Sequence, residues 1–128
     1  MVIRRHTGFT LIELIVVLAI IALLASIVAP RYTRAVDNAR EASLKTSLNV
    51  MRDAIDKFAA DRGRYPESLD ELVLKGYLRK IPEDPLTGRK DSWVMLPPPP
   101  NGAIDGRMAD VRSGSQARAQ DGTLFNSW

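Results

Sequence analysis

The pattern of apolar and polar positions divides the chain into three parts, of which the first is an almost unbroken apolar run. This run extends from Phe9 to Ala29 and is interrupted only by Thr10, Glu13 and Ser26. A helix of that length crosses the roughly 30 Å of hydrocarbon in a lipid bilayer. We therefore predict a transmembrane helix segment at residues 9–29.

The second part is an amphipathic helix that continues the first. Its apolar residues recur at spacings of four, three, four and three, which is the period of one helix face: Leu44, Leu48, Met51, Ile55 and Phe58. We expect this face to pack against the C-terminal region. Opposite charges four residues apart, such as Arg52 with Asp56 and Asp53 with Lys57, support the same helix.

Two residues mark the course of this helix. Gly63 is a typical C-terminal cap, so the sequence predicts helix from Phe9 to Arg62, roughly 80 Å at about 1.5 Å per residue. Pro30 is its predicted interruption, because proline cannot donate to the carbonyl of Ser26. Residues 30–63 are accordingly the amphipathic continuation.

The third part, residues 64–128, predicts a small globular region with a short helix and a small sheet. Ser68 and Glu71 form a capping-box pattern, and Gly76 ends the short helix. Short strands are predicted at residues 93–96 and 108–111, and Asp121-Gly122 predicts a turn. The fold class is therefore α+β, with a long N-terminal helix packed on a C-terminal domain that holds a short antiparallel sheet. The run Pro97 to Pro100 favours a stiff loop over a ligand for a proline-reading partner.

Composition narrows the function classes. The chain has 128 residues, no cysteine and one histidine, His6, so thiol catalysis and Ser-His-Asp catalysis are not predicted. A hydrolase built from carboxylates alone remains an alternative, although no acid pair stands out. The net charge of +3 is not clustered in a stripe, and we therefore predict no nucleic-acid partner. Because neither thiol nor Ser-His-Asp catalysis is predicted and no acid pair stands out, we also predict that the protein is not an enzyme.

Charged residues near the apolar run predict its topology. Arg4 and Arg5 precede the run and place the N-terminus in the cytoplasm, with the C-terminal domain in the periplasm. A cleaved secretory signal ending near Ala25 or Ala29 is the alternative. Glu13 argues against it, because a charge inside an apolar segment costs about 2.5 to 3.5 kcal/mol and usually has a partner or a purpose.

The segment Gly8-Phe9-Thr10-Leu11-Ile12-Glu13, after a short basic leader, resembles the prepilin signal of type IV pilins and type II secretion pseudopilins. The resemblance implies that residues 1–8 are a leader peptide. It also implies that a prepilin peptidase cuts between Gly8 and Phe9 and methylates the new amine of Phe9. For assembly it implies that the segment of residues 9–29 polymerises and that Glu13, Phe9 and Pro30 take part. The amine of an adjacent subunit would neutralise the carboxylate of Glu13.

The stretch after the long helix, GRYPESLDELVLKGYLRKIPEDP, resembles the corresponding segment of major pseudopilins of type II secretion. This resemblance implies a homopolymer that assembles from the inner membrane on an assembly platform, together with minor pseudopilins, and drives protein secretion. One alternative is a type IV pilin or minor pilin for adhesion, motility or DNA uptake. Another is a membrane-anchored periplasmic binding module that does not polymerise.

The C-terminal tail resembles the pseudopilin loop that surrounds a calcium ion, and hard oxygen ligands are present at Asp105, Asp110, Ser113 and Asp121. Calcium is therefore a candidate cofactor. The acidic ligands of the family are absent at residues 116–118, where this chain has Gln-Ala-Arg. The alternative is that Arg112 and Arg118 pair with Asp110 and Asp121 and replace the ion.

Overall fold

The structure is a computed structural model that describes residues 2–128. It contains helix α1 at Leu11–Arg62, helix α2 at Leu69–Leu74, strands β1 at Val94–Leu96 and β2 at Asp110–Arg112, and a short 3-10 turn at Phe125–Ser127. This arrangement confirms the predicted α+β class. The contacts divide the chain into a first unit that ends at Val36 and a second unit, Asp37–Trp128.

Helix α1 begins at Leu11 rather than at the predicted Phe9, because the Thr10 hydroxyl accepts from the N–H of Glu13 at 3.2 Å and caps the helix. Helix continues through Pro30, so the proline removes one hydrogen bond without ending the helix predicted to reach Arg62. One missing hydrogen bond does not end so long a helix. The hydroxyls of Ser26 and Thr33 donate to the carbonyls of Leu23 at 2.6 Å and Pro30 at 3.0 Å, which are not the carbonyl that Pro30 leaves unpaired.

The end of α1 agrees with the prediction from Gly63. This glycine has a φ of 70° and donates its N–H to the carbonyl of Ala59 at 2.9 Å. A left-handed residue in that position closes the helix with a single bond to the preceding turn. The chain then turns toward α2.

The predicted apolar face of α1 forms the core of the second unit. Its five residues are at most 2% exposed: Leu44, Leu48, Met51, Ile55 and Phe58. They pack in one cluster with side chains from α2 and the C-terminal segments, including Leu72, Met108, Val111 and Phe125. The interpretation of this stripe as a core face is confirmed.

Strands β1 and β2 pair antiparallel, with Met95 opposite Val111. The second strand begins two residues later than predicted, because Met108 is fully buried and its N–H donates to the carbonyl of Pro66 rather than into the sheet. The predicted turn at Asp121-Gly122 is present. Gly122 has a φ of 86° and donates to the carbonyl of Ala119 at 3.0 Å.

Helix α2 begins at its predicted cap, with the Ser68 hydroxyl accepting from the N–H of Glu71 at 3.3 Å. The reciprocal half of the capping box differs from the prediction. The Glu71 carboxylate accepts from the N–H of Glu67 at 2.7 Å and from the Arg64 guanidinium at 2.5 Å. Glu71 therefore links α2 to the segment that follows α1.

Candidate processing and assembly site

Residues 2–10 have no regular secondary structure and are exposed. A Cβ added to Gly8 would meet nothing within 4 Å, so the fold itself does not require glycine there. A requirement for Gly8 would have to come from a protein that binds this segment closely, since glycine lets another molecule approach the backbone. The Gly8–Phe9 peptide bond is accessible to a protease.

Thr10 and Glu13 form a capping box at the start of α1. The Thr10 hydroxyl accepts from the N–H of Glu13 at 3.2 Å, and a carboxylate oxygen of Glu13 lies 3.5 Å from the N–H of Thr10. The sequence signal for this cap is Thr-Leu-Ile-Glu, which lies inside the segment whose resemblance implies processing and assembly. The longer of the two contacts is weak, so the carboxylate remains available to a stronger donor.

The apolar part of α1 is uncovered in the isolated chain. Its most apolar 18-residue window has a mean hydropathy of 3.1, and none of that window is buried. Large exposed residues follow one another on every side of the helix, including Leu14, Ile20, Leu24 and Val28. Contiguous apolar surface of this kind needs lipid or other helices around it. The segment is long and apolar enough to cross a membrane.

The four candidate calcium ligands are engaged separately. Asp110 accepts from the Arg52 guanidinium at 2.7 Å, and the Ser113 hydroxyl donates to Asp84 at 2.5 Å. One carboxylate oxygen of Asp121 accepts from both the N–H and the hydroxyl of Thr123, at 2.9 and 2.6 Å. Those two bonds, the hydroxyl first, lower the pKa of Asp121.

Asp105 contributes its backbone carbonyl to the N–H of Tyr65 at 2.7 Å. Within residues 2–128 no group of three or more His, Cys, Asp or Glu side chains is arranged to hold a metal ion. A calcium ion needs six to eight oxygen ligands. The donor set Asp105, Asp110, Ser113 and Asp121 therefore does not fit the ion, and we assign it no role here.

The alternative of direct Arg–Asp pairing in the tail is wrong in its details. Asp110 is paired with Arg52 of α1 rather than with Arg112, whose buried Nε has no hydrogen-bond partner among the described residues. Arg118 donates to the carbonyl of Gly122 at 2.9 Å. A guanidinium does stabilise this loop, but through a backbone oxygen.

Two groups of hydrogen bonds in the second unit could not be predicted from the sequence, because their partners lie far apart along the chain. Asp84 is fully buried, and its carboxylate accepts from the Ser113 hydroxyl and from the N–H of Leu86 at 2.9 Å. Arg52 also donates to the carbonyls of Val111 at 3.1 Å and Trp128 at 2.7 Å. Together they fix the C-terminal segments to the rest of the unit.

Known proteins share the N-terminal motif and are similar to this chain over most of its length. Residues 3–29 match the model of the prokaryotic N-terminal methylation motif. Type II secretion system core protein G of Aeromonas hydrophila is 32% identical over 80% of each chain. This chain belongs to that protein's family. The Vibrio cholerae core protein G is 31% identical over 80% of this chain and 78% of its own, and that of Pseudomonas aeruginosa is 34% identical over 64% and 69%.

Membership of the core protein G family confirms the resemblance drawn from the prepilin motif and the segment after the long helix. The relatives are named as core components of a secretion system, not as enzymes. No solved structure matches this chain significantly.

Proposed function

We propose that this chain is a structural subunit of a helical pseudopilus that assembles from the inner membrane and drives protein secretion by the type II system. The observation that carries the proposal is an uncovered apolar helix segment directly after an accessible Gly8–Phe9 bond. The N-terminal methylation motif and the core protein G relatives support it. In the membrane lipid covers this segment, and in the filament the same segments of neighbouring subunits replace the lipid.

Residues 1–8 act as a leader that a prepilin peptidase removes. The exposed, extended segment supports this role because a protease binds its substrate as an extended backbone, and Gly8 leaves room for close approach. Cleavage exposes the amine of Phe9, which the same enzyme methylates. The Thr10–Glu13 capping box survives the cut, because the N–H of Thr10 remains an amide.

Glu13 sets the register between subunits in this proposal. A carboxylate in apolar surroundings is stable when an opposite charge neutralises it, and the Phe9 amine of an adjacent subunit supplies that charge. The 3.5 Å contact to Thr10 leaves Glu13 free to accept the stronger, charge-assisted bond. Pro30, near the end of the apolar run, leaves the Ser26 carbonyl without its helical donor and provides a place where the helix can open during assembly.

Each part of the chain has its own place relative to the inner membrane. Arg4 and Arg5 stay on the cytoplasmic side, residues 9–29 span the inner membrane, and residues 30–63 and 64–128 lie in the periplasm. The partners are other copies of this chain, the peptidase, the inner-membrane assembly platform and minor pseudopilins.

Deletion of the gene tests the proposal. Secreted proteins should accumulate in the periplasm and disappear from the medium, which proteomics of the two fractions measures. The wild-type gene should restore secretion, and a Gly8→Val version should not. Normal secretion with loss of surface filaments or twitching would instead identify a type IV pilin. No change in either property would favour the membrane-anchored binding module.

A further inference from the structure

Two arginines follow the apolar run of α1. Arg31 and Arg34 are exposed and lie three residues apart, so they share one helix face with their Cβ atoms about 5 to 6 Å apart. With Ile27 and Pro30 they line a shallow groove on the helix surface. The groove has an apolar part on the side of the membrane segment and two cations beyond it.

Among the described residues 2–128, neither arginine has a carboxylate partner. Within residues 2–128, ion pairs involve other cations, at Arg52, Lys57, Arg64, Arg89 and Arg107. Arg31 and Arg34 lie on the translocated side in the proposed topology, where positive flanking residues are disfavoured. Two unpaired arginines at that position are free to bind an anionic group.

The length of the apolar segment places the pair at a defined depth. From Leu11 to Ala29 a helix rises roughly 28 Å, close to the ~30 Å thickness of the hydrocarbon. Arg31 and Arg34 then lie within about 10 Å of its edge, in the layer of lipid phosphates. Helical side chains lean toward the N-terminus, which brings both guanidinium groups toward that layer. Tyr32, 69% exposed between them, is a residue type enriched at this interface.

We propose that Arg31 and Arg34 bind the phosphate of an anionic phospholipid headgroup, while Ile27 and Pro30 contact its glycerol and upper acyl chain. The planar guanidinium donates two parallel hydrogen bonds to phosphate oxygens, which an ammonium group does not. The apolar part of the groove suits the hydrocarbon of such a lipid, and its two arginines suit the phosphate. The inference rests on the membrane span of the proposed function, and a subunit that leaves the bilayer for the filament must release this lipid.

The test uses the full chain reconstituted in phosphatidylcholine vesicles with spin-labelled phosphatidylglycerol or phosphatidylcholine. Electron paramagnetic resonance measures the relative association of each lipid with the protein. We expect a preference for phosphatidylglycerol of about fivefold or more, since a single arginine near an anionic surface already contributes about fivefold. Arg31→Gln/Arg34→Gln should reduce it to less than about twofold, and Arg31→Lys/Arg34→Lys should restore it in part.

Two control variants separate this pair from other cations. Arg40→Gln, six residues beyond Arg34 on α1, should keep the preference. Arg4→Gln/Arg5→Gln measures the contribution of the leader at the opposite surface. Inorganic phosphate in the buffer should not displace the lipid.

The proposal is overturned if the Arg31→Gln/Arg34→Gln protein keeps the full preference, or if Arg4→Gln/Arg5→Gln abolishes it. It is also overturned if inorganic phosphate removes it, because the site would then bind phosphate in general. Vesicle flotation and protease protection establish insertion first. A chain that does not insert contradicts this site and the proposed function together, whereas insertion without a lipid preference contradicts only the site.

Discussion

At the scale of single residues, Glu13 contributes both to the helix cap and to the proposed contact between subunits, and two substitutions separate these roles. Its side chain completes the capping box with Thr10, and in the proposed filament its charge pairs with the amine of a neighbour. Glu13→Gln keeps an acceptor for the cap but removes the charge, whereas Glu13→Val removes both. Both variants should insert at least as well as the wild type, because a costly charge is gone, and both should lose most filament assembly.

Filament yield after shearing, or cross-linking between subunits, measures assembly of the Glu13 variants. A defect in Glu13→Val alone would show that the cap matters and the charge does not. Wild-type yield from both variants would contradict the register role. Membrane fractionation provides the insertion control.

Gly114 is the second residue with a sharp prediction. A Cβ there would approach the backbone carbonyl of Ser92 more closely than real Cβ atoms do, and backbone cannot rotate away as a side chain can. Gly114→Ala should lower the free energy of unfolding by about 1 to 3 kcal/mol, as overpacking does. Thermal unfolding of the full chain in detergent measures this. Gly8→Ala, where the added Cβ meets nothing within 4 Å, is the matched control and should leave the transition unchanged.

At the scale of elements, the Arg64–Glu71 pair makes the start of α2 sensitive to pH. The Arg64 guanidinium and then the N–H of Glu67 lower the pKa of Glu71. The unfolded chain therefore binds the proton more readily, so the pair stabilises the fold above the ordinary glutamate pKa of about 4.3 and loses that effect as the pH falls through the lowered value.

Glu71→Gln should remove this contribution and flatten the decline in unfolding free energy below about pH 5. Denaturant unfolding across that range measures the slope. The matched control is Asp53→Asn, in the solvent-exposed pair with Lys57, because an exposed pair contributes little. An unchanged slope in Glu71→Gln would contradict the assignment.

The C-terminal loop is ordered by its own contacts. The buried Asp84–Ser113 bond, the Arg118 bond to the carbonyl of Gly122 and the burial of Phe125 hold it in place. We therefore expect the same melting temperature in calcium and in chelator. A rise of several degrees in calcium that Asp121→Ala abolishes would contradict this and restore the family's metal-stabilised loop.

At the scale of the whole molecule, what the sequence could predict depended on distance along the chain. The apolar stripe of α1, the glycine caps and the Asp121-Gly122 turn arise within a few residues, and all were correctly predicted. Arg52 shows where this fails: its predicted partner was Asp56, one turn away, but folding brings Asp110 to it instead. The Asp84–Ser113 bond was missed for the same reason, since no local pattern encodes a tertiary contact.

The two parts of the chain differ in what stabilises them. The second unit has its own core and its own hydrogen-bonded loops, whereas no other part of residues 2–128 covers the apolar segment of α1. The first property gives a stable folded body, and the second requires lipid or other subunits. In the proposed function, removal of the leader is the step that releases the apolar helix for assembly.

Intact mass of the protein purified from membranes tests that step most directly. We expect residues 1–8 to be missing and the new amine of Phe9 to carry one methyl group. The Gly8→Val protein, in which the added Cβ meets nothing within 4 Å, should retain the full precursor mass. A wild-type protein that retains the leader, or one that begins after Ala25 or Ala29, would contradict the account.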